Sequence, residues 1–444
     1  MSNPYLPKWE YIPDGEPRVF NNRVYVYGSH DRVASEDFCD FKLKVWSASV
    51  DNLNDWTCHG DAFHTKADKN HESDTADWSD KELYAPDVVE KDGKYYLYAY
   101  VVHSRGCVAV SDYPEGPFQL ISQYQVPDNG TSPLEKDLEE GIFIDPGVLV
   151  DDDGQVYIYC GYLHSFMAQI NPDNMYEIID GYYKRDIIPE EEPYAFFEAC
   201  SPRKVGDTYY MIYSPKCGSR LVYATSDSPK GPFKYRGVIV DNGVEYPGGN
   251  NHGSICKIKD QWYIFYHRMT NNSVMSRRAC VEKIEMLEDG TIPQVEMTSL
   301  GFEESLSPYK ETEAEIACVL KGGGIISEKN VMERPIVNIL PGSVIGYKYF
   351  DFGQDYSSTS MWAFIKINGS GQKGIIYIHL DSEDGTVVGQ GEITTDSGIL
   401  KIPVANITGR HSIFFTFETG RKGWMKENFE GRELCQMVSF VFCK

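Results

Sequence analysis

Tyr11-Ile-Pro-Asp-Gly-Glu-Pro-Arg-Val-Phe-Asn-Asn-Arg-Val-Tyr-Val-Tyr27 sets a carboxylate, Asp14, ahead of one strand. An Asn21-Asn22 turn and an aromatic strand ending at Gly28 follow. The same order recurs along the first two thirds of the chain. The anchor tyrosine is Tyr25, then Tyr96, Tyr157, Tyr210 and Tyr263, at intervals of 53 to 71 residues. Turn residues precede each anchor: Asn21-Asn22, Asp92-Gly93, Asp153-Gly154, Gly206-Asp207 and Lys259-Asp260. Most of these are the residues that short hairpin loops require. An ionisable residue stands 9 to 12 residues upstream of each anchor: Asp14, Asp87, Asp145, Glu198 and His252.

A second echo supports the repeat. Ser111-Asp-Tyr-Pro-Glu-Gly-Pro-Phe118 matches Ser226-Asp-Ser-Pro-Lys-Gly-Pro-Phe233. A spacing of this size suits one four-stranded sheet with its loops. Radial repetition of such sheets gives a propeller. The expectation is therefore an all-β chain, a five-bladed β-propeller over residues 1–300 followed by a C-terminal β-sandwich over 311–444. Alternating stretches such as Ala363-Phe-Ile-Lys-Ile and Ser412-Ile-Phe-Phe-Thr-Phe carry the second part, and Gly301–Lys310 reads as a linker. Trp362 and Trp424 are either sugar platforms or core.

Composition agrees. The 444 residues include 31 Tyr and 39 Gly, with 41% hydrophobic residues, enough for two cores. A net charge of -24 makes nucleic acid and anionic membrane surfaces poor partners. No run reaches the length of a transmembrane helix. The start, Met-Ser-Asn-Pro-Tyr-Leu, has neither a basic nor an apolar leader region. Eleven cysteines are scattered singly. Buried free thiols in a reducing, cytoplasmic setting are the expectation.

In a propeller the first strand of each blade lines the axis, so the upstream residues converge on one mouth. Glycoside hydrolysis needs a protonated carboxyl to assist the leaving group and an ionised one. In an inverting enzyme they stand about 6.5–9.5 Å apart, leaving room for water. Glu198 follows Phe196-Phe197, an apolar setting that keeps a carboxyl protonated. Asp14 lies in a more open, polar stretch and suits the base. Asp145 sits between them and tunes the acid. Asp87 shares the phase, but its Ala-Pro-Asp setting reads as structural. Tyr84, Trp78 and Phe143 are the candidate sugar-contacting aromatics. Specificity falls to the loops around Trp78 and residues 122–141.

These motifs, together with Tyr84-Ala-Pro-Asp-Val, Ile144-Asp-Pro-Gly-Val, Phe197-Glu-Ala and Asn251-His-Gly, resemble glycoside hydrolase family 43 over residues 3–300. The resemblance implies an inverting, exo-acting enzyme on oligosaccharides or polysaccharides carrying arabinose or xylose. α-L-Arabinofuranosidase is the favoured activity and β-xylosidase the runner-up. A non-catalytic glycan-binding propeller is the alternative of another class. By position, Asp14 matches the general base, Asp145 the orienting aspartate and Glu198 the general acid. His252 matches a channel histidine that helps hold a calcium ion. An arginine of the last blade contacts acid or sugar; Arg277 and Arg278 compete for that place, and the expectation is Arg278. Many members carry Trp where this chain has Tyr84. The last third resembles the family's accessory carbohydrate-binding domains.

Overall fold

Two consecutive asparagines with positive φ, Asn21 (48°) and Asn22 (61°), turn the first strand, Glu16–Phe20, straight into the second, Arg23–Tyr27. Both are left-handed, the backbone a two-residue hairpin needs if it is to follow the twist of its strands. Asp92 (52°) and Gly93 (77°) repeat the device in the next sheet. The computed structural model describes residues 1–65, 78–126, 142–357 and 359–444. Most of the loops expected to set specificity, 66–77 and 127–141, lie outside the described residues.

Five antiparallel sheets follow one another, each with its strands in chain order. The first holds Glu16–Phe20, Arg23–Tyr27, Lys42–Ser49 and Asn52–His64; the second holds Leu83–Lys91, Lys94–Val101, Cys107–Ser111 and Gln119–Gln123. The third holds Gly147–Val150, Val156–Cys160, Phe166–Ile170 and Ile178–Arg185; the fourth holds Phe196–Val205, Thr208–Pro215, Arg220–Ser226 and Lys234–Asp241. The fifth has three strands among the described residues, Ser254–Ile258, Gln261–Thr270 and Ser273–Ile284. All five anchor tyrosines fall on second strands.

The first strands touch in cyclic order. Glu16–Phe20 meets both Leu83–Lys91 and Ser254–Ile258, and Gly147–Val150 meets both Leu83–Lys91 and Phe196–Val205. Ser201 Oγ to Ser254 Oγ (2.6 Å) and Arg203 Nε to the Ile255 carbonyl (3.2 Å) close the circle. The approach is tight: a Cβ on Gly147 would lie 2.2 Å from the Cys200 carbonyl oxygen, so no side chain fits there. Buried ion pairs stitch the strands together. Arg18 grips Asp87 with Nε and Nη2 (3.0 and 2.5 Å), and Asp87 also accepts the Val148 N–H. Arg203 Nη2 holds Glu16 (2.6 Å).

Residues 1–6 lie along the last strand of the fifth sheet. Tyr5 N–H donates to the Ala279 carbonyl (3.1 Å), and Asn3 exchanges side-chain hydrogen bonds with the Val281 backbone. Two further sheets occupy residues 319–443. One orders Ile325–Ile326, Ile336–Ile339, Cys435–Cys443, Ser360–Gly369 and Gly398–Ala405; the other orders Val319–Lys321, Val344–Asp351, Arg410–Thr419, Gly374–Leu380 and Val387–Ile393. Phe440 of the first packs on Tyr347 and Phe415 of the second, with centroids 4.8 and 5.0 Å away. This core runs without a break into the fourth and fifth sheets through Tyr210, Tyr223, Ile264 and Tyr266. The expected linker is no free spacer, since Phe302 is buried and the Leu306 N–H donates to the Tyr349 carbonyl. All eleven cysteines are free thiols, and no helix among the described residues is long and apolar enough to cross a membrane.

Asp87→Ala leaves Arg18 charged, largely buried and unpaired. The expected loss is about 3–5 kcal/mol of stability, read from the urea midpoint; a loss below about 1 kcal/mol would refute the stitching role.

Candidate active site

The heads of the inner strands share a backbone irregularity that aims side chains at the axis. Asp14 (φ 57°), Ala85 (36°), Asp145 (53°) and Ala199 (68°) are all left-handed without being glycine. The ladders of the second and fourth sheets slip at Tyr84/Asp87 and at Glu198/Ser201. Bulges of this kind re-aim side chains at sheet ends, and such strain persists only where the surroundings enforce it. A cavity of about 210 Å³ opens there. Asp14, Asp145, Glu198, His252 and Tyr84 all line it, joined by Arg277, Phe38, Cys39, Ile144, Tyr162 and Asn250.

Asp14 is held ionised. Arg277 Nη1 reaches its Oδ1 (3.0 Å) and Ser29 Oγ donates to its Oδ2 (2.6 Å). Ser29 is itself fixed by the Ala85 N–H (2.7 Å). Burial raises the Asp14 pKa, but Arg277, then His252 and the Ser29 hydrogen bond, outweigh it and bring it below the ordinary value. Burial drives the His267 imidazole down to about 3 against the pull of Asp14, so it is neutral. Its Nδ1 accepts the Asp14 N–H (3.2 Å), and its Nε2 then donates to the Asn250 carbonyl (3.0 Å).

Glu198 is biased the other way. Burial pushes it up to about 8, Asp145 adds to the push, and His252 opposes it. Asp145 is raised by burial to about 6, against His252 and with Asp14. Asp145, with the lower value, ionises first, and its charge then opposes ionisation of Glu198.

His252 sits among carboxylates. Its Nδ1 is 3.8 Å from Asp14 Oδ1 and from Asp145 Oδ2, and its Nε2 is 3.8 Å from Glu16 Oε1. Burial lowers its pKa, but Glu16, Asp145 and Asp14 together raise it to about 9, so the ring is cationic. Glu16 Oε1 is buried with no hydrogen-bond partner among the described residues. One imidazole and one orphaned carboxylate oxygen form a sparse set for calcium, which takes roughly six to eight oxygen ligands. The channel fits a cation that keeps most of its water, and does not form a tight protein cage. The compact three-ligand cluster among the described residues is elsewhere, at His164, Asp186 and Glu190 near the surface.

Three expected contacts do not reach the cavity. Arg278 points away from it and pairs with Glu315 of the C-terminal part (2.8 Å), buried on both sides. Adjacent strand residues face opposite ways, so Arg277 takes the place foreseen for Arg278. Phe143 is buried between sheets against Tyr124 and Phe166 (5.0 and 5.5 Å), and its neighbour Ile144 lines the cavity. Trp78 packs on the core between the first and second sheets. Sequence reasoning missed Asp31, which grips Arg277 from the far side with both oxygens (2.8 and 2.9 Å). The Gly28-Ser-His-Asp31 run after the first aromatic strand was its only signal.

A family model, Glycosyl hydrolases family 43, matches residues 16–292. A xylosidase/arabinosidase from Thermoclostridium stercorarium is 38% identical across 94% of this chain and 95% of its own. An arabinoxylan arabinofuranohydrolase from Paenibacillus polymyxa is 28% identical across 94% of this chain and 70% of its own. Among solved structures, a β-xylosidase/α-arabinofuranosidase from a compost microbial metagenome, in complex with xylotriose and in calcium-free form, superposes with a TM-score of 0.52. It is 29% identical over 66% of this chain and 97% of its own.

The two neighbouring arginines separate in one experiment. Arg277→Ala loses on the order of 10²-fold or more in turnover, because Asp14 loses its anchor. Arg278→Ala strips Glu315 of its closest partner and loses about 3 kcal/mol of stability, with turnover of the folded protein kept. Melting and initial rates on the same preparations check both, and the reverse pattern would restore Arg278 to the cavity.

Proposed function

The chain belongs to glycosyl hydrolases family 43, and from that premise we propose that it is an inverting, exo-acting glycosidase releasing one terminal pentose, α-L-arabinofuranose first. The opposite protonation of Asp14 and Glu198 in one small cavity carries this reading. Environments that drive two carboxyls apart mark the acid and the base. The cavity has room for one pentose ring, which suits action at chain ends. Arabinose is favoured because the Paenibacillus arabinofuranohydrolase aligns across both parts of this chain. β-Xylosidase is the second reading, since the Thermoclostridium relative carries both names. The cyclic contacts support reading the five sheets as a five-bladed β-propeller over 1–300, and the facing pair as a β-sandwich over 311–444.

In the proposed reaction the glycosidic oxygen takes the Glu198 proton as its bond to the anomeric carbon breaks. Water attacks the opposite face of that carbon, and its proton passes to Asp14. Solvent exchange then returns both groups to their starting state. Asp145 keeps Glu198 protonated, and Arg277, set by Asp31, keeps Asp14 charged and aimed. A calcium ion, if carried, would be held by Glu16 Oε1 and by the His252 ring once it has given up a proton, and would supply positive charge to the channel. That charge is met without metal by the His252 imidazolium.

The test is release from 4-nitrophenyl α-L-arabinofuranoside beside the β-D-xyloside, with Glu198→Gln as control. Arabinoside cleavage lost in the variant, with β-arabinose as the first product by NMR, is expected. First release of the α-anomer would mean retention and overturn the base role of Asp14. The pH profile gives an independent check. Activity in kcat/KM falls as pH rises through about 8 and Glu198 ionises. It persists on the acid side to below the ordinary aspartate range, because Asp14 is depressed. Asp145→Asn removes a charge that raises Glu198, so the alkaline limb moves to lower pH. A limb that stays put would deny Asp145 its tuning role.

A further inference from the structure

Tyr162 is a large aromatic that the fold leaves open, 42% exposed, at the rim of the cavity. It belongs to none of the buried clusters, and its hydroxyl makes no hydrogen bond among the described residues. Its backbone, in contrast, is fixed from both sides. The Gly161 N–H donates to the Ile144 carbonyl (2.8 Å), and the Leu163 N–H donates to the Phe197 carbonyl (2.7 Å). Ile144 is the chain neighbour of Asp145, and Phe197 is the chain neighbour of Glu198. The turn can be this tight only with glycine at its head: Gly161 has φ 132°, and a Cβ there would lie 1.9 Å from the His164 carbonyl oxygen. The Tyr162 ring meets Phe197 edge to face at 5.2 Å and 63°. A rigid turn thus holds an exposed ring beside the acid and its tuner.

The reaction gives that place a meaning. Glu198 must hand its proton to the glycosidic oxygen, so the departing sugar lies on the Glu198 side of the pocket. The lining ring of Phe38 differs: Arg277 lies over it at 5.1 Å, so it is already engaged by a cation. An aromatic plate that contributes nothing to the core, placed where the leaving group must pass, offers a flat apolar surface to the C–H face of a pyranose. Two residues further along the same turn, His164 pairs with Asp186 and Glu190 (3.1 and 3.3 Å).

We propose that Tyr162 is the platform for the leaving-group sugar, stacking the xylopyranose to which the terminal pentose is attached, and so selects oligosaccharides over simple glycosides. The inference rests on the pentosidase reading above. It assigns Tyr162 to substrate selection and leaves the bond-breaking groups unchanged.

The experiment compares arabinosyl-xylotriose with methyl α-L-arabinofuranoside, whose leaving group has no ring. For Tyr162→Ala, the ratio of kcat/KM on the oligosaccharide to that on the methyl glycoside falls on the order of 10-fold or more. The fall comes through KM. Tyr162→Phe, which keeps the plate, holds the wild-type ratio. An unchanged ratio in Tyr162→Ala, or equal losses on both substrates, overturns the platform. If the wild-type protein cleaves neither substrate, the pentosidase reading fails. Calorimetry of xylotriose binding to Glu198→Gln, with and without Tyr162→Ala, then decides the platform: a weaker Kd upholds it and an equal Kd overturns it.

Discussion

One guanidinium governs the charge balance of the cavity. Arg277 lies between Asp14 and Asp31, buried with both of them. Ions removed from water cost several kcal/mol each, and only close, multiply bonded pairing offsets that. The pairing is supplied from segments 246 or more positions apart: both carboxylates flank strands of the first sheet and the arginine belongs to the fifth. The site therefore exists only when the ring of sheets is closed. The same strand carries Arg278 outward to Glu315, so the C-terminal sheets clamp the strand that presents Arg277. The C-terminal part shares a core with the fourth and fifth sheets and bears on the cavity through one peptide step.

The electrostatic field inside is uneven. Near Asp14 the positive groups outnumber it, whereas Glu198 has a carboxylate neighbour and apolar walls. His252 faces both acids of the first and third sheets and belongs to neither. Its charge is maintained by three carboxylates at equal distance, which lets the channel hold several acids without all of them becoming neutral.

The sequence made the repeat and its phase readable, because a turn and an aromatic strand are short-range signals. Equal phase in different repeats then placed Asp14, Asp145, Glu198 and His252 at one mouth without any knowledge of contacts. What failed was parity. Arg277 and Arg278 differ by one residue of the same strand, and one step reverses the face. Parity is normally read from alternation of apolar and polar residues. Here both faces of the fifth sheet are covered, one by the first sheet and one by the fourth sheet and the C-terminal core, so alternation is lost. Asp31 was unreadable for another reason: it acts through Arg277, some 246 positions away. No local pattern records such a pairing. Trp78 shows the converse, a conspicuous residue that packs on the core outside the cavity.

The pairing of residues 1–6 with the strand Ser273–Ile284 has a consequence for how the molecule is made. Residues 1–6 wait for a partner that lies some 278 positions further along the chain. Contacts so distant in sequence are formed late and slowly. Until then the growing chain displays unpaired strand edges, which are open to association with other chains. The four earlier sheets can each fold locally as they emerge, but the cavity cannot be assembled one sheet at a time. Catalytic competence should therefore arrive in a single late step, and a nascent or truncated chain lacking that closing strand would be a target for chaperones before it is an enzyme.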